Sequence, residues 1–279
     1  MRIKITTDST CDLTRELLKA NDIDVFPLSI VMGEQSLLDG IEILPEDIYR
    51  HVSAGGEITT TSAINVLDYL SYFSKLSPVY DAVVHVNIGS DFSSCHQNAV
   101  IAAENFSNVY AVDSRNLSSG QGLVALEAAR LAGEGLSAKE IITALESFIP
   151  RVDVSFLLSQ LDYLAKGGRC SSVAALGANL LRLKACIEVD CGAMRVWKKY
   201  RGTYEKTLIE YVRDRLRQSP ADPRQVLVVH TACPPGAVES VCREVEAVTG
   251  SAPFAAPTAG CTICSHCGPC TLGIMYARK

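Results

Sequence analysis

Short apolar runs and amphipathic stretches alternate along the first half of the chain, and the alternation predicts a succession of strands and helices. Residues 3–7, 25–31, 82–86 (AVVHV) and 109–113 are short, β-branched and continuous enough to be buried strands of a parallel sheet. Between them, Leu44-Pro45-Glu46 opens a helix with proline in its permitted first turn. Val66, Leu67, Leu70 and Phe73 share one face of the next helix, and residues 99–103 continue an Ala-rich one. Residues 118–135 form a helix closed by Gly133 and Gly135, and Ser137 with Glu140 is a capping box before a helix that stops at Pro150. Ser9 with Asp12 resembles a second capping box, for a short helix to about Ala20. A parallel sheet covered by helices on both faces, a three-layer α/β/α domain over residues 1–150, is the packing this order predicts.

The second half has a different rhythm. Residues 156–159, 185–190, 193–200, 225–231, 253–258 and 271–277 each read as a strand, with helices at 172–183, 205–218 and 236–248. IEVD and MRVWKKY are joined by Cys191-Gly192 as a hairpin, so the sheet is mixed. The fold class is therefore α/β in two domains, 1–150 with a parallel sheet and 151–279 with a mixed six-stranded sheet.

Hydroxyls gather at two places in this pattern. Ser90, Ser93 and Ser94 follow the strand at 82–86, and Thr59, Thr60, Thr61 and Ser62 precede the helix containing Val66, so both groups are expected at helix N-termini. Helix N-termini past the carboxyl ends of parallel strands favour anions, and hydroxyls there donate to a carboxylate or phosphate without adding charge. Helix capping alone accounts for the same residues. Lys166-Gly167-Gly168-Arg169 adds a tight glycine turn before the helix at 172–183 and puts Arg169 beside that helix's N-terminus; Arg201, followed by Gly202, is a second candidate cation.

Composition narrows the classes. The chain has 279 residues, 48% hydrophobic and 20% charged, with formal charge −5. That is a globular balance and argues against a nucleic-acid or anionic-membrane surface. No run approaches the ~18 apolar residues of a spanning helix, and the start of the chain runs straight into a strand pattern, so a cytoplasmic protein without membrane insertion is expected. Eleven cysteines in such a chain are read as thiols or ligands rather than a disulfide framework.

Motifs in order along nearly the whole length carry a resemblance: TDSTCDL, TTSAIN, NIGSDFSSCHQNA, VDSRNLSSGQG, LDYLAKGGRCSS, KKYRGTYEK and the terminal HCGPCTLG. The chain resembles the DegV family of bacterial fatty-acid-binding proteins. The resemblance implies a two-domain fold with a long acyl chain buried between the domains. It places the fatty-acid carboxylate at Thr61, Ser62, Ser93, Ser94, Cys95 and His266, with Arg169 and Arg201 near the mouth facing a phosphate or a kinase. It also implies a partner, a separate fatty-acid kinase that makes the acyl phosphate for phospholipid synthesis, and no cofactor or catalytic residue in this chain. This sequence has Ser93-Ser94-Cys95 where the family usually has Ser-Gly-Thr, and His266-Cys267-Gly268-Pro269-Cys270 where it has His-Thr-Gly-Pro-Gly.

Other chemistries find little support. GxSxG, HExxH, P-loop and EF-hand patterns are absent. Gly120-Gln121-Gly122 opens a formal dinucleotide fingerprint, but six residues separate it from the preceding strand. Cys261, Cys264, Cys267 and Cys270 are spaced every three residues, which matches three ligands of an iron–sulfur site but not its fourth spacing, and crowds a single zinc. Free thiols flanking the pocket mouth are expected there, with residues 266–270 as a loop; a metal-binding or redox-sensing use of the cluster is the alternative.

Overall fold

A computed structural model describes residues 1–170 and 183–279. In the first half the elements are β1 (Ile3–Asp8), α1 (Arg15–Ala20), β2 (Ile23–Phe26), β3 (Ser29–Met32), β4 (Gln35–Leu38), α2 (Pro45–Ser53), β5 (Thr60–Ser62), α3 (Val66–Leu76), β6 (Ala82–Asn87), α4 (Cys95–Ala103), β7 (Val109–Asp113), α5 (Ser118–Gly133) and α6 (Ala138–Phe148). The second half holds β8 (Val152–Leu157), α7 (Asp162–Gly167), β9 (Leu183–Asp190), β10 (Ala193–Arg201), α8 (Tyr204–Gln218), β11 (Ala221–Thr231), α9 (Pro235–Thr249), α10 (Cys261–Cys267) and β12 (Thr271–Arg278).

The first sheet is parallel throughout, in the order β2-β1-β6-β7. From β1 the chain moves outward to β2 and later returns to the opposite flank at β6, so the direction of winding reverses between β1 and β6. The crevice beyond the carboxyl ends of those two strands is where a ligand binds in an open α/β sheet.

Two local expectations fail here for identifiable reasons. Ser9 does not begin a helix by capping: residues Ser9–Cys11 form a 3₁₀ turn capped by Asp8, and α1 starts later, capped by Thr14. The run at 25–31 is two strands, because Pro27 cannot donate to a ladder; β3 instead pairs antiparallel with β4 and β5 in a small separate sheet. The helix starts with side-chain signals behaved as read: Pro45 opens α2, and Ser137 and Glu140 form their capping box.

The second sheet runs β10-β9-β8-β12-β11 with antiparallel neighbours. The strand expected at 253–258 is present only as two parallel bridges along β11, Leu227 to Ala255 and His230 to Thr258; these supply the mixed character. Cys191 and Gly192 both have positive φ, as the hairpin turn between β9 and β10 requires. The helix expected at 172–183 lies outside the described residues, apart from Leu183, which starts β9.

One face of this sheet packs on α8 and α9 through Tyr211, Val212, Val241 and Val245. The other faces the first half across α5, which touches β1 and β6 on one side and β8, β11 and β12 on the other. The two glycines of the SSGQG run explain how one helix fits between two sheets. A Cβ at Gly120 would stand 2.3 Å from Val154, and one at Gly122 would stand 2.6 Å from the Cys11 carbonyl. That close approach, and not phosphate binding, is the role the structure gives the formal dinucleotide fingerprint.

Candidate functional site

The segment after β6 and the short helix α10 meet beyond the reversal point of the parallel sheet. α10 is held there by two buried carboxylates. Asp39 accepts from the backbone N–H of Cys261 (2.9 Å) and Thr262 (3.1 Å), and from the hydroxyls of Thr262 (2.7 Å) and Ser9 (3.0 Å). Asp12 accepts from Gly260 N–H (2.7 Å) and the Ser118 hydroxyl (2.5 Å). Acceptors at a helix N-terminus satisfy its orphan donors and complement its dipole. Burial raises the Asp12 carboxyl to about 7, against its hydrogen bonds to Ser118 and Gly260. The loop expected at 266–270 is in part helix: His266 and Cys267 close α10, whose N-terminal partners these carboxylates provide, and only residues 268–270 lie outside it.

Between α10, the β6–α4 segment, β5 and the start of α5 lies a cavity of about 380 Å³. Its lining joins two chemistries: the polar side chains of Thr61, Ser62, Ser93, Ser94, Asn98 and His266, and the apolar ones of Leu28, Ile88, Phe92, Leu117, Phe156, Leu164 and Ile263. A smaller chamber of about 20 Å³ shares Leu117, Phe156, Ile263 and Cys267 with it and is walled further in by Val229, Gly273 and Met275. The surface of this smaller chamber is almost wholly apolar.

The hydroxyls are carried by two different backbones. Thr61 and Ser62 are on strand β5, where Ile30 pairs with Thr61, so the expected helix start there is a strand and α3 begins later, capped by Asn65. The alternation of a strand sends neighbouring side chains to opposite faces. Thr59, just before the strand, and Thr61 are two residues apart and so point the same way, toward α10: Thr59 bonds the buried Ser265 hydroxyl (2.7 Å) and Thr61 reaches His266 Nε2 (2.9 Å).

The serine segment is the helix start it was expected to be, but its three serines separate. Ser90 is spent outside the cavity, donating to Asp113 (2.6 Å). Ser93 accepts from Cys95 N–H (3.2 Å) and donates to Cys95 Sγ (3.1 Å). Ser94 occupies the N-cap position of α4 yet makes no side-chain cap bond. Cys95 is fully buried behind the lining and contributes through Ser93; burial first, then the charge of Asp8, raises its thiol to about 11.

His266 is neutral: burial, then the charge of Arg169, lowers it to about 4. Its Nδ1 is buried without a partner and lies where a Cβ on Gly167 would stand, 2.3 Å away. Glycine at 167 is what lets α7 press against the imidazole. Gly168 is left-handed, as expected of the glycine pair, and Arg169 returns to donate to the Gly167 carbonyl (2.7 Å) while lining the cavity. Arg201 is exposed at the end of β10 and is not among the lining residues.

Cys267 also lines the cavity, its thiol raised to about 12 by burial. Cys261 and Cys264 turn away, donating to the carbonyls of Ile43 (3.2 Å) and Ala259 (3.4 Å). Among the described residues no three or more His, Cys, Asp or Glu side chains group to hold a metal ion. No described helix is long and apolar enough to cross a membrane.

Asn98, Leu28, Phe156 and Met194 were not singled out from sequence. Asn98 carried a legible signal, since it is one helical turn past Ser94 on the same face; its amide donates to the Ile64 carbonyl (2.8 Å) and fixes the β5–α3 connection against α4. The others come from distant elements, and only the fold assembles them.

Comparison with known proteins agrees with the geometry. The sequence profile of the family described as "Uncharacterised protein, DegV family" matches residues 2–279. A DegV domain-containing protein of Caldanaerobacter subterraneus subsp. tengcongensis is 32% identical, over 100% of this chain and 99% of its own. Protein DegV of Bacillus subtilis is 29% identical over the full length of both. Among solved structures, a DegV family protein from Thermus thermophilus, described by its fatty-acid binding, superposes with a TM-score of 0.91 at 28% identity and full coverage of both chains. A stearic acid-binding protein from Eubacterium ventriosum superposes at 0.88 with 26% identity, covering 99% of this chain and 98% of that one.

Proposed function

The chain belongs to the DegV family, and on that premise we propose that it binds a long-chain fatty acid in this cavity, tail inward, and presents the carboxylate to a separate fatty-acid kinase. The observation that carries the reading is one cavity whose lining joins the hydroxyls of Thr61, Ser62, Ser93 and Ser94 and the His266 imidazole to apolar side chains that it shares with the smaller chamber. Its volume of about 380 Å³ falls in the range of ligand sites, roughly 300–1,000 Å³. The solved relatives described as fatty-acid-binding support the choice of ligand.

The chemistry follows from which groups remain free to donate. A neutral imidazole carries one N–H. If Nε2–H donates to Thr61 Oγ1, the Thr61 hydroxyl hydrogen is released toward the cavity, and Nδ1, the buried atom without a partner, is left bare. Ser93 now donates to a thiol sulfur, a weak acceptor, so a carboxylate oxygen displaces it with a stronger charge-assisted bond. Ser62 and Ser94 complete the polar end, and Cys95 acts through Ser93. A tail with about 14 methylenes gains on the order of 11 kcal/mol on burial at ~0.8 per CH₂, much of it offset by ordering. Affinity thus comes from the tail and orientation from the head.

Neutral donors suit a carboxylate that must later accept a phosphoryl group, because an intimate lysine or arginine pair would stabilise the ground state and oppose transfer. In this reading Arg169, at the cavity wall, meets the phosphate, and Arg201, outside it, meets the kinase. The protein itself performs no chemistry and works in the cytoplasm, with its domain boundary near residue 150. Solvent extraction and mass spectrometry of purified protein test the ligand: a stoichiometric long-chain fatty acid is the expected result, and a protein recovered without lipid that fails to take up fluorescent fatty acid contradicts it. For the partner, Arg201→Ala should lower acyl-phosphate formation by the kinase while leaving fatty-acid binding unchanged; parallel losses would move Arg201 into the binding site.

A further inference from the structure

The cysteine run of the sequence has a partner outside it. Cys270 follows α10 at the start of β12, where the ladder with β11 pairs Thr231 with Thr271. Cys270 N–H donates to the Thr231 carbonyl (2.9 Å), and its thiol lies 3.6 Å from the Ala232 carbonyl. On the opposite strand the Cys233 thiol donates to the Thr271 carbonyl (3.4 Å). Each sulfur is thus bonded to the backbone beside the other. Both strands also pass through a left-handed residue that is not glycine at this point, Ala232 at φ +34° and Cys270 at φ +55°, a conformation that costs energy and persists only where surroundings enforce it. After burial, the nearby Cys270 thiol is what raises Cys233 to about 12. The Tyr204 hydroxyl faces the pair, 4.0 Å from Cys233 Sγ. Cys270 is partly exposed and Cys233 buried.

We propose that Cys233 and Cys270 form a reversible thiol–disulfide site that reacts with low-molecular-weight disulfides. The partly exposed Cys270, as its thiolate, attacks one sulfur of the small disulfide; a Cys270 mixed disulfide forms and one small thiolate leaves. Cys233, deprotonated, then attacks Cys270 Sγ, expels the second thiolate and closes the protein disulfide. Two protein thiols are oxidised, one small disulfide is reduced to two thiols, and the two protein protons pass to the departing thiolates. The bridge would tie the turn after α10 to the end of β11. That turn already docks through two bonds, Thr231 hydroxyl to the Gly268 carbonyl (2.6 Å) and Ser159 hydroxyl to the Pro269 carbonyl (2.9 Å).

The test uses the folded, full-length protein incubated with glutathione disulfide, quenched by alkylation and mapped by peptide mass spectrometry. A Cys233–Cys270 cross-link that dithiothreitol reverses is expected, with the exposed Cys191 recovered only as its glutathione adduct. In Cys233→Ser, Cys270 should stop at the glutathione adduct; in Cys270→Ser, the buried Cys233 should stay unmodified, which keeps the test decisive if one variant folds poorly. A wild-type protein in which Cys270 accumulates as the glutathione adduct, pairs with another cysteine or does not react overturns the proposal.

Discussion

The two hydroxyl-rich stretches look alike in sequence and are built differently. Residues 60–62 form a strand, and Thr59 and Thr61, on the same face of it, both turn to α10, one to Ser265 and the other to His266. Residues 90–95 form a turn and helix start whose serines divide between Asp113, Cys95 and the cavity. In the serine stretch the side chains that line the cavity are those with a weak partner or none, whereas Thr61 lines it while bonded to the His266 imidazole. Ser90 and Thr59 have strong oxygen partners and stay out of the cavity; Ser94 leaves the cap bond unmade and Ser93 settles for a sulfur.

The largest effect expected from breaking this comparison is at its two ligand-facing members together. Thr61→Ala with Ser93→Ala removes a hydrogen bond to an ionised group from each stretch, roughly 1.5–3 kcal/mol apiece. Fatty-acid affinity should therefore fall by about a hundredfold or more, without loss of thermal stability beyond ~1 kcal/mol. A double variant that titrates with fluorescent fatty acid like the parent would separate these hydroxyls from the head group.

Next in size is Gly167→Ala, which acts on neither stretch directly. Its methyl would displace the His266 ring and remove the imidazole from Thr61; one weakened hydrogen bond, about 1–1.5 kcal/mol, predicts roughly a tenfold rise in Kd. An unchanged Kd would show that Thr61 does not depend on the imidazole.

His266 also sets a pH signature. Its folded value of about 4 is depressed below the ~6.5 of an exposed histidine, so between those values the unfolded chain binds the extra proton. The His266 contribution to stability is therefore present above about pH 6.5 and is lost as pH falls toward 4. Replacing His266 by Gln should flatten that part of the stability profile measured by chemical denaturation, and an unaltered profile would contradict the assignment. The smallest effect belongs to the control: Ser90→Ala, a surface change away from the cavity, should alter binding by no more than ~0.5 kcal/mol.

How much of this was legible in the sequence depends on whether the cause was local. The capping box at Ser137, the Pro45 start and the Cys191-Gly192 turn are decided within a few residues, and each appears as read. The strand character of Thr60–Ser62 depends on β3, some thirty residues earlier, and on Pro27 breaking the run that contained it; a helix beginning at Val66 hid it. The helical state of residues 261–267 rests on Asp12 and Asp39, more than two hundred residues away. The hydroxyls that line the cavity stand in two short motifs and could be picked out in the sequence, whereas its apolar lining, with Leu28, Leu117, Phe156 and Ile263, is assembled only by the fold.

The most direct measurement is a crystal structure of the protein with a bound long-chain fatty acid. The account predicts carboxylate oxygens within hydrogen-bond distance, about 2.5–3.0 Å, of the Thr61 and Ser93 hydroxyls, with the tail running past Leu117 and Phe156 toward Met275. A carboxylate at the Met275 end, with the methyl terminus among the hydroxyls, would contradict it.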